Sequence, residues 1–294
     1  MRLRRVALIV GSFGLILGMA AAQNQEPAAA PPAGLPKNPA ELVRAAVENE
    51  LKPVAHQYFM YRLLNTKSDG TQTKEYVETA NGVLGRLIAI DGKPLTPEQR
   101  AKEDQRLQRL LDDPSSWQAK QKSQREDDQR TRNMVHALPD AFLYQYEGTE
   151  QTAYGEVAKL SFAPNPNFDP PARETMVYRG MRGHMKVNLK ANRIQEIDAN
   201  LFRDVNFGWG ILGHLDSGGK FLVQQGPVSG DHWETTHMVL NFTGKALLFK
   251  TIKIHQDETT SDYRPVENMS LAQALTTLKK ADGEVAENAP KSAK

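Results

Sequence analysis

The chain of 294 residues contains no cysteine, and its 39% hydrophobic and 24% charged residues are typical of a globular protein with a buried core. The lack of cysteine excludes disulfide scaffolds, zinc ribbons and cysteine nucleophiles. The net charge is +2, but three arginines lie within the first five residues; without them the 37 basic residues fall to 34 against 35 acidic ones. This balance gives no indication of a nucleic-acid partner.

The first 22 residues have the three parts of a secretory signal peptide. Basic residues are followed by an apolar run over 6–19 and by the small-x-small ending Ala20-Ala21-Ala22. The run is shorter than the roughly 20 residues of a membrane-spanning helix and contains three glycines, which favours a cleaved signal peptide. The alternative is a membrane anchor that is not cleaved. We predict cleavage after Ala22, export to the periplasm and no stable membrane span after cleavage.

Composition divides the remainder into a folded body and two flanking segments. Residues 23–37 form an Ala/Pro-rich linker and residues 281–294 a polar tail, and both are predicted to be disordered because they cannot bury enough apolar surface. The body, 38–280, is predicted to be a single β-rich domain with a helical insert at 96–138.

The body begins with a helix signal followed by strand signals. Asn38 is a candidate N-cap, Pro39 suits the first helical position, and Glu41 could close a capping box. The apolar residues that follow at helical spacing must lie on an apolar surface. Runs at 58–64, 71–79 and 83–90, separated by Gly-containing turns, then predict an antiparallel meander.

A charged helical insert interrupts the strands. A second capping box, Thr96 to Gln99, begins one helix, and Asp113-Pro114-Ser115 begins another, so we predict an α-hairpin. Between Gln118 and Asn133 there is no apolar stripe beyond Ala119. This segment is therefore either a solvated arm or a surface that binds a partner.

Strand and turn signals dominate after Pro139, and a short helix is predicted at 270–280. Residues 184–190 alternate between apolar and polar side chains, which indicates a strand with one buried face. About nine to eleven strands in a row form a sheet that curls. The predicted fold class is mainly β with α (α+β): a curved antiparallel sheet or half-barrel covered by helices, with the charged α-hairpin insert. Its concave side is either filled by a tight core or leaves a cavity for an apolar ligand. The further predicted strands lie at 154–162, 221–225, 233–242 and 245–255, with Thr243-Gly244 as the turn between the last two.

The order of these elements resembles the LolA/LolB/RseB-like group of envelope proteins. The passage from Lys186-Val187-Asn188-Leu189 to Arg193-Ile194-Gln195-Glu196-Ile197 is similar to paired strands of that group, and the segments 204–210 and 244–250 resemble its later strands. The resemblance spans Leu42 to Val266. It implies an open half-barrel that holds acyl chains of lipoproteins.

Candidate chemistry is sparse. The seven histidines are scattered, and the closest pair, His232 and His237, is five residues apart, which places the two side chains on opposite faces of a strand. Asp216-Ser217-Gly218-Gly219 lacks the strand-to-helix setting of a nucleophile elbow and is typical of a hairpin loop. We predict no catalytic residues, no metal site and no cofactor, and hence a protein that is not an enzyme.

The predicted function is binding of a hydrophobic or acylated ligand, as a carrier or sensor of lipoprotein or lipid. The partner is then a lipid or the acyl chain of a lipoprotein. The alternative is an envelope interaction or scaffold protein that binds another envelope protein through its charged insert. Six of the predicted ligand-binding residues lie on the apolar faces of two strands, and a tryptophan lies near an opening. The alternative for all seven is ordinary core packing. The seven residues are Met185, Val187, Leu189, Trp209, Met238, Leu240 and Phe242.

Overall fold

A computed structural model describes residues 31–53, 57–207, 213–246 and 250–287. The predicted signal peptide, Met1–Ala22, lies outside the described residues. The helices are α1 (Pro39–Leu51), α2 (Pro97–Asp112), α3 (Pro114–Ala141) and α4 (Leu271–Glu287), with a 3-10 helix at Arg173–Gly180. The strands are β1 (Tyr58–Lys67), β2 (Gly70–Thr79), β3 (Gly82–Ile90), β4 (Lys93–Pro94), β5 (Phe142–Thr152), β6 (Gly155–Pro164), β7 (Met181–Asn188), β8 (Arg193–Leu201), β9 (Val205–Phe207), β10 (Gly213–Leu215), β11 (Lys220–Ser229), β12 (His232–Ala246) and β13 (Lys250–Val266).

The strands form an antiparallel sheet that is not closed into a barrel: among the described residues, β4 and β5 are its edge strands. Together with the helices this confirms the predicted α+β class. The described residues divide into two compact units. The first unit comprises 31–53, Asp128–Pro227 and Asp231–His255 without the gaps named above, and the second comprises 57–127, Val228–Gly230 and 256–287.

In the first unit the strand order is β12-β11-β8-β7-β6-β5. Strand β10 also pairs with β12, and β9 pairs with β10. The predicted alternation over 184–190 is present only up to Val187: Met185 and Val187 are buried and His184 is exposed. Asn188, predicted on the polar face, is fully buried, and Leu189 lies beyond the end of β7. Helix α1 packs on β5, β7 and β8 through its apolar stripe, which includes Val43 and Val47. The last turns of α3 complete the apolar cluster.

In the second unit the strand order is β4-β3-β2-β1-β13, and helices α2 and α4 pack on β3. An ion network fixes both helices to that strand. Arg86 of β3, 1% exposed, donates to Asp282 at 2.8 and 3.2 Å and to Asp104 at 2.6 Å. Burial lowers the pKa of Arg86, but the hydrogen bonds to the two carboxylates raise it by more. The net effect is a raised pKa, so Arg86 remains charged. Helix α4 continues to Glu287, beyond the predicted end at Lys280 and into the segment predicted to be a disordered tail, and Asp282 lies in this extension.

Local signals place the helix starts. In the predicted capping box of α2, Gln99 N–H donates to Thr96 Oγ1 at 3.2 Å, and Thr96 N–H donates to Gln99 Oε1 at 2.9 Å. At α1, the side chain of Asn38 accepts from Ala40 N–H at 3.0 Å, two residues on rather than three. Thus Asn38 is the cap, as predicted.

The polar segment of α3 is attached to the second unit rather than solvated on all sides. Gln121 Nε2 donates to the carbonyl of Asn81 at 2.6 Å, and Gln124 Nε2 donates to the carbonyl of Val83 at 3.3 Å. Asn81 lies in the β2–β3 connection and Val83 is the second residue of β3, next to Gly82, which has a φ of +118°. A polar helix face can therefore pack on a strand connection through side-chain amide hydrogen bonds. The absence of apolar residues at helical spacing does not exclude such a contact.

Two backbone predictions are wrong. Thr243-Gly244 is not a turn, because β12 continues through it and pairs with β10, and Gly244 lets the backbone of His214 approach closely. Helix α3 does not end at Leu138, the predicted end of the insert, but continues through Pro139 to Ala141. The last carbonyls of the helix accept from side chains: Tyr144 Oη donates to Leu138 O at 2.8 Å, and Asn165 Nδ2 donates to Asp140 O at 2.9 Å.

Candidate functional site

The candidate site is a cavity within the first unit, between its sheet and the helices that cover it. Side chains from α1, α3, the 3-10 helix and five strands line it. The apolar members are Met134, Val135, Leu138, Phe142, Phe162, Tyr178, Met181, Ile194, Ile197, Phe221 and Val223, and the polar members are Glu50, Thr131 and Gln225. No lysine, arginine or histidine is among the described residues that line it.

The cavity contains about 60 Å³ of space that the centre of a water molecule can enter. A single buried water needs roughly 10–15 Å³ of such space, so the cavity has room for about four to six groups the size of a water or a methylene. Its wall is apolar apart from three side chains. An apolar space with a few polar groups at fixed positions is the usual form of a small-molecule site.

Two tyrosines bond to α3 from neighbouring elements: Tyr178 from the 3-10 helix and Tyr144 from β5. Tyr178 Oη donates to the carbonyl of Met134 at 3.0 Å, and Tyr144 Oη donates to that of Leu138. Burial raises the pKa of both phenols well above the ordinary value, so both remain neutral donors at physiological pH. Because the hydroxyl of Tyr178 is occupied by Met134, its ring contributes to the cavity as an apolar surface.

A buried carboxylate in the last turn of α1 forms one end of the cavity wall. Glu50, 2% exposed, accepts from Arg193 Nη1 at 3.0 Å and from Ile194 N–H at 3.3 Å. Burial raises the pKa of Glu50 to about 7, against the opposing attraction of Arg193. The carboxyl group is therefore partly protonated near neutral pH.

The same end of α1 is held by a second contact, to the turn between β7 and β8. Asn49 Nδ2 donates to the carbonyls of Ala191 and Asn192 at 3.1 and 3.0 Å, and Asn192 Nδ2 donates back to the carbonyl of Ala45 at 3.2 Å. Asn192 has a φ of +49°, a conformation that asparagine adopts more readily than most residues. These bonds fix where α1 lies on β8 and hence where Glu50 meets the cavity.

Two further polar atoms at the cavity have no hydrogen-bond partner in the described part of the chain: Thr131 Oγ1 and Gln225 Oε1. Thr131 is 3% exposed and Gln225 is 5% exposed. A buried polar group without a partner costs roughly 1–3 kcal/mol of stability. The neighbouring Gln224 faces the other side of β11, where its Nε2 donates to Glu196 Oε2 at 2.8 Å. Gln225 is thus the polar residue among the three of β11 that line the cavity; the other two are Phe221 and Val223.

The predicted ligand-binding residues occupy the surrounding core. Five of them are buried in the same apolar cluster as the cavity wall, and Leu189 is partly buried against it. Trp209 lies outside the described residues. The six described residues are not among those that line the cavity. The five buried residues are Met185, Val187, Met238, Leu240 and Phe242.

Sequence reasoning missed Glu50, Thr131 and Gln225. Glu50 falls between apolar positions of the α1 stripe, and its partner Arg193 is distant in sequence, so its burial had no local signal. Thr131 lies within the segment 118–133 that was assigned to polar surface. Gln225 was placed in the strand 221–225 with no indication that its side chain is buried.

Histidines and acidic residues elsewhere form pairs. His184 Nδ1 lies 3.0 Å from Glu147 Oε2 in an exposed position, and His214 Nε2 lies 3.0 Å from Asp216 Oδ1. Asp216 Oδ2 also accepts from Thr243 Oγ1 at 2.7 Å. Within the described ranges there is no group of three or more histidine, aspartate and glutamate residues that could hold a metal ion. In the same ranges, no helix is long and apolar enough to cross a membrane.

Comparison with known proteins gives matches among solved structures. No protein-family model and no curated protein sequence matches the chain. A putative outer membrane lipoprotein-sorting protein domain from Vibrio parahaemolyticus matches at 11% identity and a TM-score of 0.32, over 82% of this chain and 99% of that one. A DUF1329 family protein from Desulfovibrio piger matches at 12% identity and a TM-score of 0.28, over 80% and 96% of the two chains.

A LolA superfamily protein from Nitrosomonas europaea matches at 8% identity and a TM-score of 0.27, over 80% of this chain and 96% of that one. Two of the three are a lipoprotein-sorting domain and a LolA superfamily protein, and the LolA group is the one that the sequence resembles. These TM-scores describe a partial superposition of the backbones, so the function proposed for this chain is derived from its own residues.

Proposed function

We propose that this chain is an exported envelope protein that binds a hydrophobic or acylated ligand in the cavity of the first unit, as a carrier or sensor rather than an enzyme. The observation that supports the proposal is the apolar wall, which includes Phe142, Phe162 and Phe221 around space that no described side chain fills. Native interiors are packed with few voids larger than a water molecule. An apolar cavity of this size is therefore a place for a ligand.

Periplasmic location is the part of the proposal that depends on the sequence alone. The predicted signal peptide, Met1–Ala22, supports it. The ligand would then be a lipid or the acyl chain of a lipoprotein in the envelope. Binding of another envelope protein by the charged face of α3 stays the alternative, because Gln121 and Gln124 hold only one face of that helix.

Titration of the delipidated protein with a series of 1-alkanols, by displacement of a fluorescent apolar dye, tests the cavity. Affinity is expected to rise by about 0.8 kcal/mol per methylene until the cavity is filled. Absence of saturable binding at every chain length would contradict the proposed function.

A pair of matched variants locates the binding. Val223→Phe extends a side chain into the cavity and is expected to abolish binding while the fold is kept. Val187→Phe adds the same bulk at a fully buried position outside the lining, where overpacking is expected to cost roughly 1–3 kcal/mol of stability. If folded Val223→Phe binds like the wild type, the ligand lies elsewhere. Loss of binding in folded Val187→Phe would favour the residues predicted from sequence.

A further inference from the structure

The outer face of the sheet in the first unit carries an open polar groove, separate from the cavity. Side chains alternate along β7, so that Met185 is buried in the core whereas Arg182 and His184 are exposed on the opposite face. The groove crosses β6, β7, β8 and β11 and contains about 530 Å³ of space that the centre of a water molecule can enter. Its polar side chains all lie on strands, which hold them more rigidly than loops do. They are Ser161, Arg182, His184, Asp198, Asn200 and Lys220.

The pairing of the strands arranges these six side chains in two rows. The first row crosses β7, β8 and β11 and consists of Arg182, Asn200 and Lys220. The second row crosses β6, β7 and β8 and consists of Ser161, His184 and Asp198. Cβ atoms of directly opposite residues are about 4.5–5.5 Å apart, and the rows are two residues apart along each strand, which is roughly 7 Å.

The first row presents positive charge and hydrogen-bond donors. In the described part of the chain the Arg182 guanidinium has no hydrogen-bond or ion-pair partner. It lies 5.2 Å from the centroid of the Phe202 ring, a contact that orients the guanidinium without using its N–H bonds. Lys220 Nζ lies 3.9 Å from Asp198 Oδ1, which is longer than a hydrogen bond. A guanidinium and an ammonium group with an amide between them suit the oxygens of a phosphate group.

The second row presents hydrogen-bond acceptors. His184 Nδ1 lies 3.0 Å from Glu147 Oε2, and when its N–H donates to that carboxylate the Nε2 atom is an acceptor. The carboxylate of Asp198, which is 48% exposed, and the hydroxyl of Ser161 also accept. Acceptors with a negative charge among them suit an ammonium group.

The next row along the strands differs, because its charges already pair with one another. Lys186 Nζ lies 3.3 Å from Glu150 Oε1 and 3.5 Å from Glu196 Oε1, and Gln224 Nε2 donates to Glu196 Oε2. The separation of donors from acceptors is therefore a property of the groove and not of the whole face.

We propose that this groove binds a zwitterionic phosphoethanolamine group, with its phosphate against Arg182 and Lys220 and its ammonium against Asp198 and His184. An anion alone would lie beside the charge of Asp198, and a cation alone would lie beside that of Arg182. The groove is on the opposite face from the cavity, so this site does not depend on the function proposed above.

The test is a titration of the ¹⁵N-labelled protein at low salt and pH 8, followed by NMR, with O-phosphoethanolamine and with ethyl phosphate, which lacks the ammonium group. O-phosphoethanolamine is expected to bind about fivefold more tightly and to shift the backbone amides of β7, β8 and β11 at the groove. Arg182→Gln is expected to weaken its binding about tenfold. Lys186→Gln removes the same charge from the neighbouring row and is the matched control, with less than about a twofold effect expected.

Asp198→Asn separates a contact with the ligand from a structural role. It is expected to weaken binding of O-phosphoethanolamine and to strengthen binding of ethyl phosphate, whereas a structural defect would weaken both. Equal binding of the two probes by the wild type, an unchanged affinity in Arg182→Gln, or no saturable binding would overturn the proposal.

Lipids and soluble esters both carry the phosphoethanolamine group, and sedimentation with vesicles distinguishes these sources. Sedimentation with phosphatidylcholine vesicles that contain phosphatidylethanolamine, but not with pure phosphatidylcholine vesicles, would assign the group to a lipid. Binding of the soluble probe without this difference between the vesicles would assign it to a soluble ester.

Discussion

Replacing Glu50 by glutamine tests the energetics of the cavity wall. Burial raises the pKa of this carboxyl group from an ordinary value of 4.5 to about 7. The folded state therefore holds the proton more tightly than the unfolded chain does. The resulting stabilisation is fully present below about pH 4.5 and is lost as the pH rises through 7. The difference between the two pKa values corresponds to about 3 kcal/mol.

Glutamine resembles the protonated carboxyl group and does not titrate. Glu50→Gln is therefore expected to match the wild type in unfolding free energy near pH 4.5. At pH 8 it is expected to be more stable than the wild type by up to about 3 kcal/mol. Urea unfolding followed by circular dichroism from pH 4.5 to pH 8 measures this difference. Glu48→Gln, on the exposed side of the same helix, is the matched control and should follow the pH dependence of the wild type.

The opposite result is physically well defined. If attraction to Arg193 outweighs burial, removing the charge breaks a buried ion pair, which typically costs about 3–5 kcal/mol. Glu50→Gln would then be less stable than the wild type at pH 8 and would approach it only in acid. That outcome, or a difference that does not change with pH, would refute the conclusion that burial dominates at this carboxyl group.

Three further predictions concern other parts of the chain. Asp282→Ala is expected to destabilise the protein by roughly 3 kcal/mol in urea unfolding, because it leaves buried Arg86 with only the half-exposed Asp104. The control Asp104→Ala is expected to cost less than half as much. Equal costs for the two variants would contradict this order. Tyr178→Phe is expected to cost about 1 kcal/mol in the same assay through loss of the bond to Met134, and no change would mean that the carbonyl is satisfied otherwise. N-terminal sequencing of the exported protein should begin at Gln23, whereas a mature chain that retains Met1 would contradict cleavage after Ala22.

The sequence by itself determined the features that depend on neighbouring residues. The capping box at Thr96, the helix that begins at Pro114 and the alternation around Met185 each involve atoms a few residues apart, so the pattern of residue types is enough to predict them. The antiparallel α+β class followed from the number and order of such elements. A long helix or strand with a regular pattern of apolar residues can therefore be predicted from its own sequence.

The tertiary structure alone decided which polar residues are buried and where space remains. Arg193 meets Glu50 and Arg86 meets Asp282 across 143 and 196 residues of sequence, distances at which no local pattern relates the partners. Thr131 lies in a segment whose composition indicates solvent, yet it is 3% exposed and lines the cavity. The cavity is space between side chains from elements far apart in the chain. Such a space depends on how those elements pack, which their individual patterns do not specify.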